Sequence, residues 1–218
     1  MAEVRQGLAA ALALAACNAM AAGGHHAVDD AAILEPAQCE LETWVMRTRS
    51  GERLLHAGPG CRVGPVELSA TLDRERADGA WAGAHSVQVK SVVALTREWT
   101  VGASATPFWR PAGERGTGVL LLATWVRGAW TAHFNIGHDF IRGSGGTPRS
   151  GASVEYAFDT RWSAVGERYV ESRGHYARAG MRWQVTPTWN LDLSHAALLR
   201  GSGASSWTFG STWQFDRR

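Results

Sequence analysis

From His175 to Phe215 apolar and polar residues alternate through three successive runs. Ala177, Ala179, Met181, Trp183 and Val185 fall on one parity, and Tyr176, Arg178, Gly180, Arg182 and Gln184 on the other. Thr186-Pro187-Thr188 interrupts, and then Trp189, Leu191 and Leu193 alternate with Asn190, Asp192 and Ser194. After Arg200-Gly201-Ser202-Gly203, Trp207, Phe209, Trp213 and Phe215 alternate with Thr208, Gly210, Thr212 and Gln214. A β-strand sends successive side chains to opposite faces, so each run has one greasy and one wet face. In a soluble sandwich the greasy face would meet a core. In a membrane barrel it would meet lipid, and the wet face would line a lumen.

The same pattern repeats upstream. It predicts strands at 39–49, 53–57, 63–75, 85–95, 98–109, 117–127, 129–140, 152–158, 161–171, 175–185, 189–198 and 206–215. About twelve is an even number, as bacterial single-chain barrels require. The second strand is cut short by Gly58-Pro59-Gly60, because proline removes a ladder donor. Short connections at Thr96-Arg97, Gly128, Asp159-Thr160 and Thr186–Thr188 alternate with longer ones at Arg76–Ala84, Arg110–Gly116 and Ile141–Gly151. Such alternation is expected of outer-membrane barrels with short periplasmic turns. It puts both chain ends in the periplasm.

The tryptophans mark boundaries. Trp99, Trp130, Trp162 and Trp189 begin strands after short turns, and Trp125, Trp183 and Trp213 precede a short turn or the C-terminus. All seven fall near one rim, with Trp109 and Trp207 near the other. Indole has an apolar body and a single donor, which suits the headgroup layer. Strand-end core residues would give the same spacing. Eleven tryptophans and 25 glycines among 218 residues also favour an all-β chain. No run reaches the roughly 18 apolar residues of a membrane helix. The formal net charge of +2 gives no electrostatic case for nucleic acid.

Residues 1–21 are read as a secretory signal peptide. Arg5 precedes an alanine-rich run, and Ala19-Met20-Ala21 fits an A-x-A cleavage site. Leu14-Ala15-Ala16-Cys17 offers a competing reading, a lipobox with Cys17 lipidated. Residues 22–38 are expected to form a periplasmic lead-in. Gly23-Gly24-His25 could hold Cu(II) if it carried the free amine, but a mobile tail accounts for so short a motif and no metal or cofactor is assigned. The barrel spans 39–215, and 216–218 is a tail. Cys39 and Cys61 remain after export, which favours a disulfide. Cys61 is expected in the connection following the second strand. The bridge would be worth roughly 3 kcal/mol in the chain-entropy model.

Chemistry is confined to the wet parity. Glu67, Asp73, Lys90, Glu98, His133, Glu155, Glu167, Arg178, Arg182 and Asp192 are inward candidates. Of these, Lys90, His133, Glu155, Glu167, Arg178 and Arg182 are assigned as lumen-lining residues able to meet a solute. Glu155, Glu167, Arg178 and Arg182 lie on three successive strands and could form an ion-pair ladder. One outcome is a plug of paired charges, since buried charges persist when paired. The other is a polar path whose charges set preference. No catalytic set is found: Ser194 and His195 are adjacent on a strand and point to opposite faces.

Thr131–Asp139 (TAHFNIGHD), Val154-Glu155-Tyr156, Gly180-Met181-Arg182-Trp183 and the ending Trp207–Phe215 resemble small proteobacterial outer-membrane barrels. The family that these residues most resemble is that of outer-membrane proteins of phenol-degradation meta-pathways. The likeness covers roughly the second half of the chain. It implies transport of small, hydrophobic solutes, with outer-membrane lipid and the barrel-insertion machinery as partners, and it defines no site. Phe215 is followed by Asp216-Arg217-Arg218, a departure from a terminal aromatic signal. The expectation is a single antiparallel transmembrane β-barrel of about twelve strands in the bacterial outer membrane, a transporter or passive channel and not an enzyme. The alternatives are a structural or adhesive barrel with a charge-filled lumen, and a secreted or lipid-anchored soluble β-protein.

Overall fold

The computed structural model describes residues 25–217. The signal sequence, Cys17 and Gly23-Gly24 lie outside the described residues. The strands are β1 (Gln38–Thr48), β2 (Arg53–Val63), β3 (Val66–Ala77), β4 (Ala80–Ala94), β5 (Trp99–Trp109) and β6 (Arg115–Arg127). They continue as β7 (Trp130–Ile141), β8 (Thr147–Ala157), β9 (Trp162–Glu171), β10 (Gly174–Thr186), β11 (Trp189–Gly201) and β12 (Ser206–Asp216). Each pairs antiparallel with its sequence neighbours. β1 closes on β12 from Gln38↔Asp216 to Thr48↔Ser206, so the sheet is a sealed barrel without a free edge.

The two faces are sorted opposite to a soluble protein. Leu121 is 60 % exposed and Ile136 64 %, both on the outer wall, while Asp192 and Thr208 are 2 % exposed inside. An outer wall of Leu, Val, Ile, Phe and Trp around a polar interior is stable only where the outer solvent is hydrocarbon. Seven tryptophans ring the rim that carries the chain ends. Trp99↔Trp125, Trp162↔Trp183 and Trp189↔Trp213 are direct cross-strand partners, and Trp130 faces outward beside Tyr156. Trp109 and Trp207 mark the opposite rim, joined there by Trp81. Trp44 does otherwise: it points inward and stacks on His56 at 4.4 Å.

Three sequence expectations are corrected. The second strand does not stop at Ala57; it runs to Val63 through Gly58-Pro59-Gly60. Pairing with β1 continues there, while pairing with β3 lapses at Gly58 and Pro59, so the missing proline donor is absorbed on one side. Cys61 therefore lies in β2, directly opposite Cys39, and not in the connection after it. The two form a disulfide with an S–S distance of 2.05 Å. The long connections at Arg76–Ala84 and Ile141–Gly151 are also mostly strand. β3 and β4 meet in the two residues Asp78-Gly79, both with positive φ, as a tight right-twisting hairpin needs. Loops are consequently short on both rims, and the alternation of lengths does not hold.

Candidate functional site

The lumen is occupied by the chain itself. From Ala37, at the rim beside the start of β1, the backbone turns inward. Residues 25–34 then run through the bore in an irregular conformation. Val28, Asp30 and Ala31 are essentially inaccessible. Of the lead-in expected at 22–38, residues 25–34 thus lie inside the barrel, while 35–37 are exposed at its rim and Gln38 begins β1.

Because this segment has no ladder of its own, its amides must be satisfied by the wall. Leu34 N donates to Glu67 Oε2 at 2.9 Å, and Ala31 N to Thr124 Oγ1 at 2.8 Å. Asp29 N donates to Asn135 Oδ1 at 2.7 Å, and Asn135 Nδ2 returns a bond to Asp29 O at 2.7 Å. Val28 N donates to Glu167 Oε1 at 3.1 Å. Arg178 Nη1 donates to His25 O. Ser194 Oγ and His25 Nε2 lie 2.6 Å apart.

Charge reinforces this hold. Lys90, the only lysine in the sequence, places Nζ 3.2 Å from Asp29 and 3.1 Å from Asp30, with Glu67 at 3.9 Å. His26 lies 3.4 Å from Glu167 and 3.8 Å from Asp192. Burial opposes a charge on His26, but Asp192 and Glu167 outweigh it and raise the ring above its ordinary value. His25 goes the other way: burial, with His26 and Arg178 nearby, pushes it down to about 3. Burial also opposes ionisation of Asp30, yet Lys90 holds that carboxyl below its usual range.

Two inward glycines give the segment room. A Cβ on Gly151 would come 2.6 Å from Val28 Cγ2, and one on Gly210 would come 2.8 Å from His25 Nδ1. Any larger residue at Gly151 would push directly against the segment.

Lys90, His133, Glu155, Glu167, Arg178 and Arg182 all face the bore. Arg178 pairs with Glu167 at 3.1 Å, and Arg182 with Glu155 at 3.3 Å and Asp192 at 2.8 Å. Lys90 lies apart from this ladder and engages the segment. His133 Nδ1 is 2.9 Å from Thr124 Oγ1, the acceptor of Ala31 N. Asp73 pairs with His56 Nδ1 at 2.7 Å. Glu98 does not enter the lumen; it sits in the exposed turn before β5 and accepts from Trp125 Nε1 at 3.3 Å. A small recess beside Ala27 is lined by Leu120, Asn135, Arg149, Tyr169 and Glu171.

The family model described as "Uncharacterised conserved protein UCP029691" matches residues 10–215. No curated protein matches the sequence. Among solved structures, the KdgM porin is similar with a TM-score of 0.69 at 9 % identity, covering 81 % of this chain and 99 % of that one. The NanC porin gives 0.60 at 12 % identity, covering 79 % and 98 %. The COG4313 outer membrane channel from Pseudomonas putida F1 gives 0.59 at 12 % identity, covering 85 % and 98 %. At such identities the likeness is one of fold: a small bacterial outer-membrane barrel of the kind that houses porins and channels.

Proposed function

We propose that this chain, which belongs to the UCP029691 family of uncharacterised conserved proteins, is an outer-membrane channel for small polar solutes, closed at rest by its own N-terminal segment. The observation that carries the reading is the lumen's filling. A length of irregular backbone runs through the bore, packed among the inward side chains of the strands. Such a segment can leave without breaking any strand pairing, since none of its bonds belongs to the barrel ladder.

Withdrawal would expose a wall that carries both signs of charge: Lys90, Arg178 and Arg182 against Glu67, Glu155, Glu167 and Asp192. The departing segment takes Asp29 and Asp30 with it. Lys90 is then left with Glu67 alone, and the bore shifts toward positive. The exposed wall still carries three of these cations against four carboxylates, so a weak preference for cations follows. A polar wall suits a polar solute better than the hydrophobic compound implied by the phenol-pathway resemblance. The six lumen residues named above would line the solute's path, with Arg178 and Arg182 as its cationic side.

The test is planar-bilayer conductance of the mature chain and of a form lacking residues 25–34. The reading expects rare, brief openings in the first and steady, weakly cation-selective conductance in the second. A silent deletion form that still shows heat-modifiable gel mobility would favour the structural barrel instead.

A further inference from the structure

The outer wall carries its charge in a one-sided way. Among the described residues, the strand side chains that point outward include arginines and histidines but no aspartate or glutamate, and nearly all these basic residues stand at the rim away from the chain ends. Four of them are adjacent. Arg47 lies directly across from Arg53, and Arg53 directly across from Arg76, so three guanidinium groups share one register row on β1, β2 and β3. Trp207 on β12 continues the row on one side, opposite Arg47, and Trp81 on β4 on the other, opposite Arg76. Arg74, one step down β3, extends over Gly83, whose Cβ would meet Arg74 Nη1 at 3.7 Å. All four arginines are exposed, and among the described residues none of their side chains has an ion pair or hydrogen bond.

Like charges placed directly across a sheet repel, so a row of three is disfavoured unless an anion sits on it. The neighbouring strands are about 4.8 Å apart, which spreads the row over roughly 10 Å. That width suits a pair of phosphates. The chain's choice of arginine points the same way, since the planar guanidinium meets phosphate oxygens with two parallel N–H donors. The flanking indoles lie where acyl chains meet headgroups.

With both ends in the periplasm, this rim lies in the outer leaflet. We infer that Arg47, Arg53, Arg74 and Arg76 form a docking site for the phosphates of a phosphorylated outer-leaflet glycolipid. The inference rests on the membrane orientation of the barrel and is independent of the channel reading.

The test uses the mature protein in detergent, with glycolipid adducts counted by native mass spectrometry. The probes are a diphosphorylated acylated glucosamine disaccharide, its dephosphorylated form, phosphatidylethanolamine and inorganic phosphate. Removal of the phosphates is expected to weaken binding about tenfold or more. The triple variant R47Q/R53Q/R76Q should bind the two glycolipids equally weakly while conductance stays unchanged. Heat-modifiable gel mobility checks its fold, and Arg53→Gln alone, at the centre of the row, serves if the triple variant does not assemble. Equal binding of both glycolipids by the native chain, or undiminished binding by a folded variant, would overturn the site. Displacement of the glycolipid by millimolar inorganic phosphate would also overturn it, as a free-anion site is a different object.

Discussion

Lys90 connects the wall to the segment that fills the bore. It is buried, and three carboxylates converge on its ammonium. Replacing Lys90 by Met strands Asp29 and Asp30 without a counter-charge in a confined site. Breaking a buried pair in this way costs about 3 kcal/mol or more. Since the segment can detach while the strands cannot, the cost is expected to appear as loss of closure. Bilayer recordings of Lys90→Met should show a higher open fraction, with little change in the urea midpoint of the barrel. Adding Asp29→Asn and Asp30→Asn should restore part of the closure, because the stranded charges are then removed. An open fraction equal to that of the native chain in the single variant would mean that Lys90 does not hold the segment.

The N-terminal segment behaves as one element whose hold depends on pH through two adjacent histidines of opposite sign. His26 is raised in the closed state. Its contribution is complete below the free value near 6.5 and is lost as pH climbs through the raised one. His25 is pushed down to about 3. It must stay neutral to remain docked, so its contribution is complete above about 6.5 and is lost as pH falls toward 3. Closure should therefore be firmest near neutrality and weaken on both sides. Open probability against pH is expected to trace a shallow U, and a His25→Gln variant should flatten the acid limb. A monotonic rise or fall in the native chain would contradict the opposed pair. This element is also the one that the sequence hid. Strands announce themselves by period-two alternation, which made the second half of the barrel legible to within a few residues. Residues 25–34 have no period, and their partners Thr124, Asn135, Glu167 and Ser194 lie scattered over four separate strands. The one available signal was the lone lysine, placed mid-strand on the wet parity, against an Asp29-Asp30 pair in an otherwise unassigned tail. Strand ends were missed for a simpler reason. Near the rims, outward positions are filled by Arg74, Arg76 and Ser150 in place of apolar residues, so the alternation fades before the pairing stops.

At the scale of the whole molecule, twelve strands make a bore wide enough to need a filling, and the chain supplies it from its own beginning. Sealing of β1 to β12 and the Cys39–Cys61 bridge fix the rim from which that segment enters. The wall is thus rigid where the segment is anchored, and the segment is held inside by side chains alone. The contact between Val28 and Gly151 allows this to be tested without deleting anything. Val28→Cys with Gly151→Cys should form a bridge on oxidation that locks the segment in the bore. The decisive measurement is single-channel conductance of this double variant beside the native chain. The account predicts that the oxidised lock abolishes the openings that the native chain shows. An oxidised, fully bridged protein that conducts as the native chain does would contradict it.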